Sequence, residues 1–257
     1  PALSATPTPS PQRTESIDII CQLQDVRFRY SKHAPLVFDG LDLDLRRHER
    51  VALMGANGSG KSTLLHLLSG LREPTGGRIT WPAGELPVGM VLQSPDLMLL
   101  CETTRAELEF GPRHVGLPPD RRAQVVQNVM EQMSLAGLED RAPFALSRGQ
   151  RLRVAVASIL TTEPRVLLLD EPTTGQDRDQ IERMMSRFED AFDLLIFCTH
   201  DVDTAARHAD RVVLLEDGCV LADGAPEDVF FDDEALVAAS VRPTSLQQYA
   251  ARLGVRT

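Results

Sequence analysis

One nine-residue stretch constrains this chain more than any other: Gly55-Ala56-Asn57-Gly58-Ser59-Gly60-Lys61-Ser62-Thr63. It fits the pattern Gly-x-x-x-x-Gly-Lys-[Ser/Thr], directly after the apolar run Val51–Met54 and at the start of a stretch, Lys61–Leu71, that reads as a helix. Each residue type has a physical reason to be there. Glycines let successive backbone N–H groups converge on phosphate oxygens. The helix that follows turns its positive end toward the same anions. Lys61 supplies a point charge for β- and γ-phosphates, and Ser62 offers a hydroxyl to Mg²⁺.

The rest of the chain reads as the sheet such a loop needs. Val88–Leu92, Val166–Leu169 and Leu194–Cys198 are short apolar runs of the kind buried strands show. Helices are predicted over Gln150–Thr161 and Asp179–Phe192 and after Asp201, and a strand pair over Val212–Leu215 and Cys219–Ala222. Buried strands alternating with helices imply a mostly parallel sheet covered on both faces. Leu41, Leu43 and Leu45 alternate with charged residues, which implies an antiparallel β layer near the N-terminus. Residues 95–145 read as mainly helical, with Val125, Val126, Val129, Met130 and Met133 on one face and Asp120 as cap. Residues 1–16, with Pro1, Pro7, Pro9 and Pro11, are expected to be a disordered tail or linker.

A formal charge of −10 argues against nucleic acid as a partner, since such binding rests on neutralising phosphates with Lys and Arg. The four cysteines form no Cys-x-x-Cys pair, so neither a zinc site nor a redox motif is indicated, and scattered thiols fit a reduced cytosolic protein. No run approaches ~18 apolar residues, so a membrane is expected to matter only through a partner.

Two further motifs carry chemistry. Asp170 and Glu171 follow the apolar run Val166–Leu169, which places both carboxylates at the end of a buried parallel strand, where ligands bind in such sheets. Asp170 can hold Mg²⁺ directly or through its water, and Glu171 can polarise an attacking water. The third motif is Leu146-Ser147-Arg148-Gly149-Gln150, which ends 20 residues before Asp170.

With these three motifs the sequence resembles an ABC ATPase over nearly its whole length after residue ~20. That family carries Leu-Ser-Gly-Gly-Gln at a helix start, about 20 residues before its carboxylate pair. The resemblance implies an α/β P-loop NTPase fold: a mostly parallel sheet flanked by helices, an N-terminal antiparallel β layer, a helical subdomain at about 95–160 and a short C-terminal helical extension at 231–257. The cassette itself would span 17–230. It implies ATP and Mg²⁺ as cofactors and a second ABC ATPase subunit, identical, paralogous or fused in tandem, whose signature (here Ser147, Arg148, Gly149, Gln150) closes over the γ-phosphate held by its partner's loop. Arg148 departs from the family's first Gly, and its charge would help the closed state or its bulk hinder it. The family's order also assigns Tyr30 to stacking on adenine, with Phe28 as competing candidate, Gln93 to Mg²⁺ and the nucleophilic water, Asp177 to the loop linking the two sites, and His200 to the γ-phosphate.

Looser matches resemble the energy-coupling factor group of vitamin and transition-metal importers: Ser94-Pro95-Asp96, Glu107 through Pro112, Gly175-Gln176-Asp177, and the segment Leu236–Leu253. They imply a transmembrane coupling subunit and a substrate-binding membrane subunit as partners, at the cytoplasmic face of the membrane. Glu107 and Glu109 are then candidates to receive a basic helix of that subunit.

Overall fold

The computed structural model describes residues 18–82, 84, 86–172, 178–188, 190–230 and 236. The Pro-rich start, Asp177 and, apart from Leu236, the 231–257 extension lie outside them. In chain order the strands are β1 (Ile19–Phe28), β2 (Phe38–Arg46), β3 (Glu49–Met54), β4 (Gly76–Thr80), β5 (Val88–Val91), β6 (Val166–Leu169), β7 (Leu194–Cys198), β8 (Arg211–Glu216) and β9 (Cys219–Gly224). The helices are α1 (Lys61–Leu68), α2 (Thr104–His114), α3 (Pro119–Gln132), α4 (Arg148–Leu160), α5 (Arg178–Ser186), α6 (Val202–His208) and α7 (Pro226–Val229).

The uninterrupted apolar runs became the central strands. The larger sheet runs β5-β6-β7-β3-β8-β9, and only β9 is antiparallel to its neighbour. Because successive residues of a strand face opposite ways, this sheet divides the core in two. Leu167, Leu169, Leu195 and Phe197 pack toward the helices of the 95–160 region and α5. Val166, Leu168, Ile196 and Val51 pack toward α1 and the second sheet, an antiparallel layer of order β2-β1-β4. The alternation of Leu41, Leu43 and Leu45 is realised in β2, where all three are buried. Arg211 ties the two sheets together: it donates to Asp44 O at 2.9 Å, to Glu49 Oε2 at 3.1 Å and to both oxygens of Asp223.

Several boundaries differ from expectation for local reasons. α3 starts at Pro119, a residue whose fixed φ suits the first helical turn, so Asp120 sits inside that turn and does not cap it. α4 starts at Arg148, two residues before the expected start, because Ser147 and Gln150 form a reciprocal capping box. α5 stops at Ser186, and Asp190 adopts a φ of 58°, which no helix continues through.

Glu107 departs from its expected role. It is 3% exposed, and its Oε2 accepts hydrogen bonds from Leu100 N at 2.8 Å and Cys101 N at 2.7 Å. It pins the loop ahead of α2 and is not available to a partner, while Glu109 pairs with Arg113 at 3.3 Å on the same helix. Replacing Glu107 with Ala should leave two inward-facing amides unsatisfied and lower the unfolding free energy by about 2 kcal/mol, measurable by urea titration. A loss below about 0.5 kcal/mol would contradict that reading.

Candidate nucleotide-binding site

Four adjacent parallel strands, β5, β6, β7 and β3, deliver the candidate residues at their carboxyl ends. β3 leads into the glycine loop, whose shape its glycines set. Gly55 has φ 140°, and a Cβ there would lie 2.0 Å from Leu215 O; Gly60 has φ 110°, and a Cβ there would meet the Phe38 ring at 2.9 Å. No side chain caps the first turn of α1, so its N–H donors suit an anion. Lys61, 6% exposed, arches back over the loop and donates from Nζ to Gly55 O at 2.8 Å and Ala56 O at 2.9 Å. Burial lowers the pKa of its ammonium, while Cys198, Glu171 and Asp170 act against that shift.

A cavity of about 340 Å³ opens over this loop. Asn57, Gly58, Gly60, Lys61, Ser62 and Thr63 form its floor, Gln93 and Glu171 one wall, and Tyr30 and Val37 another. Glu171 links two neighbours: its Oε1 lies 2.5 Å from His200 Nε2, and its Oε2 accepts from Gln93 Nε2 at 3.4 Å. Its backbone has φ 48°, a left-handed conformation that costs a non-glycine residue about 1 kcal/mol or more. Such a conformation persists where surrounding structure enforces it, often at functional sites. His200 is positioned by the turn between β7 and α6, which Asp201 caps as expected by accepting from Asp203 N at 3.1 Å.

Asp170 is 6% exposed, and its Oδ1 has no hydrogen-bond partner. Burial raises the pKa of this carboxyl, whereas hydrogen bonds from Ser62 and Cys198 lower it. A buried carboxylate oxygen without a donor, beside a hydroxyl and below a phosphate-shaped loop, fits a hard divalent cation that keeps most of its oxygen ligands from phosphate and water. Among the described residues no cluster of three or more His, Cys, Asp or Glu could hold a metal by protein ligands alone.

Of the two aromatic candidates, Phe28 is 4% exposed and part of the core, whereas Tyr30 is 52% exposed and lines the cavity. The Tyr30 hydroxyl shares a 2.9 Å hydrogen bond with Thr63 Oγ1. The signature residues are not brought to this cavity. Ser147 and Arg148 are exposed, with Gly149 and Gln150 partly so, at the N-terminus of α4. Asp177 lies outside the described residues. Two neighbours of the site were not foreseen. Val37 gives no sequence signal, whereas Cys198, fully buried and hydrogen-bonded to Asp170, stands two residues before His200 at the end of a strand.

Comparison with known proteins agrees with this geometry. Residues 38–174 match the family described as ABC transporter. The chain is 36% identical over 236 residues to the energy-coupling factor transporter ATP-binding protein EcfA of Methanothermobacter thermautotrophicus, covering 86% of this chain and 76% of that protein. It is 40% identical over 252 residues to a protein of Methanosarcina acetivorans, covering 94% of this chain and 39% of that protein. The chain spans only 39% to 44% of the length of four such relatives. Among solved structures, cbiO1 of Clostridium perfringens, part of the ABC transporter complex cbiONQ, superposes with a TM-score of 0.76 at 29% identity, covering 91% of this chain and 99% of that one. A glycine loop of this geometry, a carboxylate pair at the end of β6 and these matches lead to one conclusion: the chain belongs to the ABC transporter family, as an ATP-binding cassette.

Proposed function

We propose that the chain is the ATP-binding and ATP-hydrolysing subunit of an ABC importer, of the energy-coupling factor type that moves a vitamin or transition-metal ion. The observation that carries the ATPase reading is the meeting of Gln93, Glu171 and His200 beside Lys61 at the ends of adjacent strands. The importer type is supported by similarity to EcfA and to cbiO1.

In this reading the loop amides from Gly55 to Thr63 and the Lys61 ammonium hold the β- and γ-phosphates, and Tyr30 stacks on adenine. Ser62, Asp170 and Gln93 would hold Mg²⁺, which would neutralise charge on the phosphates. Glu171 accepts a proton from the attacking water as its oxygen bonds to the γ-phosphorus and the bond to the β-phosphate oxygen breaks. His200 fixes the Glu171 carboxylate and contacts the γ-phosphate; Gln93 orients the water. The cassette occupies residues 17–230, with 1–16 a tail and 231–257 an extension.

The far side of the γ-phosphate is closed by a second cassette. The N-terminus of α4 is exposed; its capping box takes up Ser147 N–H and Gln150 N–H, which leaves the Ser147 hydroxyl hydrogen and the amides of Arg148 and Gly149 to meet an anion. Asp177 would lie between the two sites. For the membrane partner, Leu97 and Leu100, each more than 70% exposed beside the Gln93 loop, offer apolar contact where the glutamates do not. The proposed position is peripheral, on the cytoplasmic face of the membrane; among the described residues no helix is long and apolar enough to cross a membrane. Co-purification tests the reading: the chain should accompany detergent-solubilised membrane subunits, and its ATPase activity should rise on assembly. Recovery with ribosomes would contradict it.

Arg148 favours a second reading, a cassette that binds ATP with little turnover, because it adds bulk and charge at the exposed start of α4. Absent steady-state hydrolysis by the assembled complex, with normal ATP binding, would select it.

A further inference from the structure

Tyr30 lies two residues beyond the end of β1 and more than half of its side chain is exposed, yet it is held from three directions. Its hydroxyl bonds Thr63 Oγ1 at 2.9 Å. Phe28 meets it edge-on, with ring centroids 5.1 Å apart and planes at 81°. The third contact is a cation: Arg72, from the loop after α1, places its guanidinium carbon over the ring, 5.7 Å from the centroid. Arg72 is exposed and does not line the phosphate cavity, and among the described residues no carboxylate pairs with it.

We propose that Arg72 is a positioning residue for the nucleobase, acting through Tyr30. Its guanidinium covers one face of the ring, so the base stacks on the other. A ring already held at its hydroxyl and contacted by Phe28 and Arg72 loses little freedom when the base arrives, and the saving appears as affinity. The cation also adds its own attraction to the stack, since a positive group over an aromatic face interacts with the ring quadrupole. The Thr63 bond extends the coupling, because Thr63 belongs to the phosphate loop: base platform and triphosphate cradle share one hydrogen bond. The sequence alone gives no hint of this, as Tyr30 and Arg72 are 42 residues apart.

The inference rests on reading Tyr30 as the base platform, and the test separates the two. The full chain is titrated calorimetrically with Mg-ATP and, separately, with Mg-tripolyphosphate, which has phosphates and no base. Arg72→Ala should weaken ATP binding about three-fold. It should leave tripolyphosphate binding unchanged, and Arg72→Lys, which keeps a cation, should restore most of the loss. An unchanged ratio of ATP to tripolyphosphate affinity in Arg72→Ala overturns the proposal. Tyr30→Ala is the control. If it selectively weakens ATP while Arg72→Ala does not, the platform stands and the role of Arg72 falls. If Tyr30→Ala changes both ligands equally or neither, the platform reading falls and the role of Arg72 with it. Arg72 is on the surface, so the melting temperature of the variants without ligand should match that of the unaltered chain.

Discussion

Glu171→Gln is expected to cut steady-state ATP hydrolysis by about 100-fold or more, the usual contribution of a positioned general base. The amide has nearly the same shape as the carboxylate and can keep contact with Gln93 and His200, which now lie 3.4 and 2.5 Å from the two Glu171 oxygens. It cannot take a proton from water. Binding should therefore survive while the chemical step stalls, and the ATP-bound form should accumulate. Under the proposed closure by a second cassette, that form should be a dimer, visible by gel filtration with ATP. A variant that hydrolyses ATP within about ten-fold of the unaltered chain would remove Glu171 from the base role. A variant that stays monomeric at high protein and ATP concentration would count against closure by a second cassette.

Lys61→Ala should weaken ATP binding by about 10- to 100-fold, the range expected when charge-assisted hydrogen bonds to phosphate are lost. Two effects combine. The triphosphate loses its one lysine charge in the loop. The loop itself loses the ammonium that now joins the carbonyls of Gly55 and Ala56. Lys61 is nearly buried, so its replacement also removes a desolvated cation, which offsets part of any cost to folding. Titration with ATP checks the affinity, and circular dichroism of the variant checks the fold. Unchanged affinity in a folded variant would sink the assignment of the glycine loop.

The parts of this fold legible in the sequence were those with one dominant physical cause. β3, β6 and β7 are buried on both faces, so each reads as an apolar run. The glycine loop reads from its spacing, because Gly55 and Gly60 have no room for a side chain. β2 alternates cleanly, whereas β1 pairs with it through register irregularities at Ile19/Cys21, Leu23/Val26 and Val26/Arg27 that blur its period. β4, Gly76–Thr80, has no fully buried residue and so no apolar signal. Glu107 reads as a surface charge on a helix, and only the fold shows that the preceding loop returns to it.

At the site, Asp170, Glu171 and the glycine loop were legible from local pattern. That Gln93, Glu171 and His200 share one site was implied only by the family resemblance and not by local pattern, because it depends on β5, β6 and β7 lying side by side, and strand order leaves no mark in sequence. The left-handed backbone at Glu171 is likewise invisible there, since nothing about a glutamate announces it.

A crystal structure of the full chain grown with Mg²⁺ and a non-hydrolysable ATP analogue tests the cradle most directly. Phosphate oxygens should lie about 3 Å from Lys61 Nζ and the loop amides, with the adenine against Tyr30. An analogue bound elsewhere, with Lys61 still donating to the carbonyls of Gly55 and Ala56, would contradict the assignment.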